Sequence, residues 1–127
     1  MAKQRNEIEE KYTWDLSTIF PTDEAFEAEL AQVSEEVKKA ASLAGHLLDS
    51  ADSLLKTTEV QLDLMRRIEK LYSYAHMKND QDTRVAKYQE YQAKGMTLYS
   101  DFGQSFAFYE PEFMAITEEQ YQAFLAE

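Results

Sequence analysis

Cysteine is missing altogether from the 127 residues. Its absence excludes disulfides, thiol chemistry and thiolate metal sites within the chain, and it fits a reducing cytosol. Glycine and proline are scarce as well, at three and two, so few breakers interrupt the backbone and long helices are expected. No run approaches the length and apolarity of a membrane span, and the opening "MAKQRNEIEEKY" has no apolar core of a signal peptide. The expected location is the cytoplasm. Basic residues are outnumbered: 13 Lys and Arg stand against 24 Asp and Glu, a net charge of −11. That balance repels phosphate backbones and anionic lipid, so neither nucleic acid nor membrane is expected as a partner, whereas basic peptides are compatible. Most of the acid reads as solvated helix faces.

Hydrophobic residues make up 44% of the chain, enough for a single domain of this length to bury about two thirds of its unfolded surface. The expected fold is all-α: an antiparallel bundle of three long helices with an N-terminal extended strap and a short C-terminal helix. The first helix should open just after Pro21, with Thr22 as cap and Asp23 and Glu24 at its positive end. Phe26, Leu30, Val33, Val37, Ala40 and Ala44 form its apolar stripe, and Gly45 is the natural stop. "HLLDSADSLL" reads as a connector with one short turn after Ser50. A second helix is expected from Thr57 or Thr58, carrying Leu62, Met65, Ile68, Leu71, Tyr72 and Ala75, and fading through Lys78–Asp82. The third should run from Thr83 towards Tyr109 with Tyr88, Tyr91, Gly95, Leu98, Phe102 and Phe106 inward. Gly95 marks close approach of a neighbouring helix, because glycine inside a helix otherwise costs about 1 kcal/mol against alanine. After Pro111, Thr117 and Gln120 form a capping-box pattern for a last short helix bearing Tyr121, Phe124 and Leu125. That helix meets Glu127 without a stop signal, which reads as a cut rather than a natural terminus.

Twelve of the sixteen aromatics lie from Tyr72 onward, more than three helices are expected to cover, so an exposed aromatic face is anticipated. It would meet another domain, another subunit or a ligand, and it would let an isolated fragment self-associate.

Residues for chemistry are sparse. The two histidines, His46 and His76, lie thirty positions apart in "HLLDS" and "HMKND", outside any H-E-x-x-H pattern, and no spacing brings them together. "NDQD", from Asn79 to Asp82, lacks the glycine and the closing glutamate of a calcium loop. There is no nucleophile elbow, phosphate loop or dinucleotide fingerprint. Adjacent carboxylates such as Glu35 with Glu36 do not face one another on a helix, as acid–base work on one bond requires. No catalytic residue and no metal ligand is assigned, and the substrate-binding residues are left unknown. Tyr72, Tyr74, Tyr88 and Tyr91 are considered as substrate-facing, with core packing the favoured role for each.

The stretch "YTWDLSTIFPTDEAFEAEL" resembles the N-terminal signature of the oligoendopeptidase F family, within the thimet-type zinc oligopeptidases. That signature is an aromatic, then W-[DN]-L-x-x-[IL]-[FY], then a capped turn opening a long helix; Tyr12, Trp14, Asp15, Leu16, Ile19, Phe20 and Asp23 stand in those places. The likeness continues through "LMRRIEKLYSYAHMKNDQDTRVAKYQEYQ" to the aromatic-P-E stretch "YEPEF", spanning about Tyr12 to Leu125. It implies a mostly helical enzyme whose N-terminal region helps enclose a deep channel for short peptides, with zinc held by H-E-x-x-H and a downstream glutamate. None of those ligands maps onto this sequence, so any zinc belongs to a parent enzyme and this chain should be inactive alone.

The resemblance divides the chain into a strap over residues 1–21 and a helical lobe over 22–127, truncated before a catalytic domain that would be its main partner. In the strap, Trp14, Leu16, Ile19 and Phe20 are expected to anchor on apolar surface, so that Trp14→Ala costs about 3–5 kcal/mol. The leading reading is a non-catalytic lobe, scaffold and channel wall, of a peptidase acting on short peptides. The alternative is a free-standing helical protein-interaction module.

Overall fold

The computed structural model describes residues 1–127. Three long helices form the body: α1 (Asp23–Ala40), α2 (Ala51–Gln81) and α3 (Ala86–Ser105), followed by two short ones, α4 (Tyr109–Met114) and α5 (Glu118–Leu125). No strand occurs. Side-chain pairs give the directions. Asp23 at the start of α1 meets Tyr74 late in α2 and Tyr88 early in α3, so α2 runs opposite to both of its neighbours.

Local chemistry explains the helix ends. Thr22 Oγ1 accepts from the Ala25 N–H at 3.1 Å, as a helix cap should. Helix α1 stops at Ala40, earlier than the glycine signal, because a 3₁₀ turn over Ala41–Leu43 intervenes before Gly45, at φ 85°, turns the chain. Ala44 is exposed and Leu30 only half-buried, so Phe26, Val33, Val37 and Ala40 alone complete the inward stripe.

Helix α2 begins at Ala51, six residues before Thr57. Ser50, which the sequence reading placed in a connector, is its cap, its hydroxyl accepting from the Ser53 N–H at 3.0 Å, and Asp52 adds charge complementary to the first turn. The early start changes the buried face as well. Leu64 is buried and Leu62 exposed, because the face that meets α1 and α3 runs through Leu64, Ile68, Leu71, Tyr74 and Ala75.

At the α2–α3 corner Asp82 accepts from the Arg84 N–H and pairs with its guanidinium. That turn delays α3 to Ala86, past the expected Thr83. Its far end comes early too, at Ser105 rather than near Tyr109. The break lets Pro111 fall in the first turn of α4, where its missing N–H leaves no bond unmade. Gly95 faces α2 as anticipated: a Cβ there would stand 3.4 Å from Cδ2 of Tyr72. The Thr117–Gln120 capping box forms at the start of α5.

The segment before α1 is a series of 3₁₀ turns, including Glu10–Tyr12 and Leu16–Thr18, and not an extended run. Leu16 and Phe20 enter the core, and the Phe20 ring meets Tyr74 and Phe26 edge-on with centroids at 5.3 and 5.8 Å. Ile19 packs partly buried beside them. Trp14 does not join them: it is 80% exposed, and Tyr12 is exposed too. The turns leave both rings facing outward, so the extended strap expected here does not form and Trp14, expected among its anchors, anchors nothing within this chain.

Candidate functional site

The histidines come first. His46 pairs with Asp49 at 2.8 Å, while His76 contacts Gln92 and Asp80 and stacks on Tyr72. No group of three His, Asp or Glu side chains is arranged to hold a metal ion. The residues present therefore do not fit a zinc centre, and no chemical step can be drawn through one here.

The densest polar cluster lies where the three long helices meet. Asp23, in the first turn of α1, accepts from Tyr74 Oη at 2.7 Å, Tyr88 Oη at 3.0 Å and Lys87 Nζ at 3.0 Å. One turn on, Glu27 accepts from the Tyr91 hydroxyl. Burial pushes the Asp23 carboxyl up, but the bonds from Tyr74, Lys87 and Tyr88 outweigh it and hold the group below its ordinary value. Burial first, and the carboxylate second, push the Tyr74 and Tyr88 hydroxyls up. Burial and Glu27 do the same for Tyr91. The result is a fixed anion held by two neutral hydroxyls and the Lys87 ammonium, a packing device with no group poised to exchange a proton near neutrality. Of the four tyrosines considered as substrate-facing, Tyr74 and Tyr91 are buried and Tyr72 and Tyr88 half-buried. All four pack in ring contacts with other aromatic side chains.

A second knot ties α1 to α2. Arg67 donates to Glu29 and to Glu36, each at 2.7 Å, and lies 3.5 Å from Asp63. Glu29 first, and Glu36 after it, push the guanidinium pKa further up despite its partial burial. Neither knot was legible beforehand, since each joins residues more than thirty positions apart.

The two largest of several surface grooves lie between helices. One of about 450 Å³ lies between α1 and α3, floored by Leu30, Tyr91 and Leu98 and edged by Glu27, Lys94 and Asp101. The other, about 420 Å³, lies between the start of α2 and α4–α5; eight of its nine lining residues are hydrophobic. The exposed aromatic face anticipated from composition is therefore small: Phe113 and Tyr121 at this second groove, with Tyr12 and Trp14 near the N-terminus.

The geometry defines a helical module tied by structural knots, and solved structures share its fold. A crystal structure of a putative peptidase from Chlamydophila abortus matches all of the chain with a TM-score of 0.86 at 22% identity, over 22% of its own length. A crystal structure of oligoendopeptidase-F from Enterococcus faecium matches 83% of the chain at 31% identity, with a TM-score of 0.72, over 21% of its length.

Curated sequences go further, although no family model matches. Group B oligopeptidase PepB of Streptococcus agalactiae is 56% identical over the whole chain. The plasmid oligoendopeptidase F of Lactococcus lactis subsp. cremoris is 57% identical over 100% of it. Oligopeptidase PepF of Bacillus subtilis is 38% identical over 97%, across 18% of its own length. The chain belongs to the oligoendopeptidase F family, whose N-terminal region it matches. It spans about a fifth of the length of the first two relatives, 21% in each.

Proposed function

We propose that this chain is the non-catalytic helical lobe of a cytoplasmic zinc oligoendopeptidase that hydrolyses short peptides, serving as scaffold and as part of the wall of the substrate channel. The observation that carries the reading is a pairing of two facts. The chain matches relatives named as oligopeptidases along its entire length, yet it assembles no set of metal ligands. Zinc, the activated water and the groups that act on the peptide bond then reside in the polypeptide beyond the matched fifth, and the catalytic domain is this lobe's partner. Narrow enclosure would select short peptides, because a folded protein cannot enter.

The test compares this chain alone with a full-length chimera in which it replaces the matched region of the streptococcal relative. A quenched fluorogenic short peptide should be cleaved by the chimera in a chelator-sensitive reaction and left intact by the isolated chain. Cleavage by the isolated chain, or a folded zinc-loaded chimera without activity, would overturn the reading.

A further inference from the structure

The groove between the start of α2 and α4–α5 is unlike the rest of this surface. Ala51, Leu54, Leu55, Phe113, Tyr121 and Leu125 are among its nine lining residues, and none of the nine carries a charge in a chain that is 29% charged. Leu55 is 57% and Leu125 65% exposed. Helix α5 is capped at its N-terminus by a full capping box, yet it buries none of its residues. It is a well-specified helix with half of a packing site, and apolar surface of this kind, depleted of charge at its centre, marks an interface.

We infer that this groove is the seat of an apolar helix face from the polypeptide that follows α5 in the full-length protein. The inference rests on the reading of the chain as a lobe of a larger peptidase. Three observations select that occupant. The chain covers 21% of relatives that match it throughout, so their remaining polypeptide is long enough to supply the helix. One wall of the groove is α5 itself, and a segment tethered to that wall reaches the groove at high effective concentration. The uncharged lining between two helices suits the ridge of a third helix better than a polar strand or an extended substrate. A second copy of the chain is the weaker occupant, because pairing would bring together two bodies of net charge −11 each.

Hydrogen exchange on the isolated chain and on the full-length chimera tests this. Amides over Leu54–Thr58 and Tyr121–Leu125 should exchange at least about tenfold more slowly in the chimera. Leu55→Glu or Leu125→Glu should abolish that added protection, while Leu62→Glu, on the exposed side of α2, leaves it intact. Equal exchange in both proteins would overturn the inference. So would a concentration-dependent dimer of the isolated chain dispersed by Leu55→Glu, which assigns the groove to a second copy. Peptide cleavage by the chimera reports separately on the peptidase reading: cleavage without added protection sinks the docking alone, and protection in a zinc-loaded chimera that cleaves nothing sinks the reading while the docking stands.

Discussion

Replacing Asp23 by alanine should cost more than its place near the protein surface suggests. The Tyr74 hydroxyl, on a residue only 2% exposed, loses its acceptor at 2.7 Å, and an unsatisfied buried hydroxyl costs about 1–3 kcal/mol. Removing a negative charge from the first turn of α1 forfeits about 0.3–1 kcal/mol more. Tyr88 and Lys87 are less enclosed and recover part of their loss from water. The expected total is about 2–4 kcal/mol. Tyr74→Phe removes a donor while leaving Asp23 its bonds to Tyr88 and Lys87, so it should cost only about 1–2 kcal/mol. In the double variant no buried hydroxyl is orphaned, and its loss should fall short of the sum by about 1 kcal/mol or more. Urea unfolding followed by helical circular dichroism measures all three. The pH dependence carries the same signature. Asp23 is held below its ordinary value of 3.8 in the folded protein, so the native state binds fewer protons than the unfolded one as pH falls past that value. The contribution is fully present above the ordinary value and vanishes as pH drops through the depressed one. Asp23→Asn should therefore lose less stability on acidification than the parent. An Asp23→Ala cost below about 0.5 kcal/mol, or strict additivity in the cycle, would refute the argument that this carboxylate joins the three helices.

The strap separates two aromatics that look equivalent in sequence: Phe20→Ala should destabilise by about 3–5 kcal/mol, whereas Trp14→Ala should change the isolated chain by less than about 0.5 kcal/mol, both read from thermal or urea unfolding. Arg67→Ala leaves Glu29, Glu36 and Asp63 facing one another around a site where the arginine side chain is only 16% exposed, and the loss should be about 2–3 kcal/mol. Raising the salt concentration should narrow that loss by screening the carboxylates.

How legible the fold was depended on the range of the forces involved. Thr22 and Thr117 cap their helices as the sequence suggested because capping is settled within three or four residues. Gly95 was readable for a similar reason: its cost inside a helix points to a close neighbour, and Tyr72 is that neighbour. Ser50 reads as connector although its capping signal is equally local. The Asp and Ser residues around it resemble a connector until Leu54 and Thr58 are recognised as facing α4 and α5. Trp14 shows the deeper limit. An extended strap would carry Trp14 inward with Leu16, but short turns replace it, so the ring's direction follows from turn geometry that residue type does not encode. The family likeness was legible from an ordered series of short motifs, whereas the Asp23 and Arg67 knots, joining positions 31 to 65 apart, depend on which helix faces come together.

Helix α2 holds 31 residues from Ala51 to Gln81 with neither glycine nor proline among them, a length of about 46 Å. Sharp bends in helices arise almost always at such residues or at a local defect in the hydrogen-bond ladder, so α2 behaves as one stiff rod. Its first turns form the apolar groove and its last third carries Tyr74 to the Asp23 cluster. The apolar groove and the Asp23 cluster, far apart in space, are thus built on one uninterrupted helix.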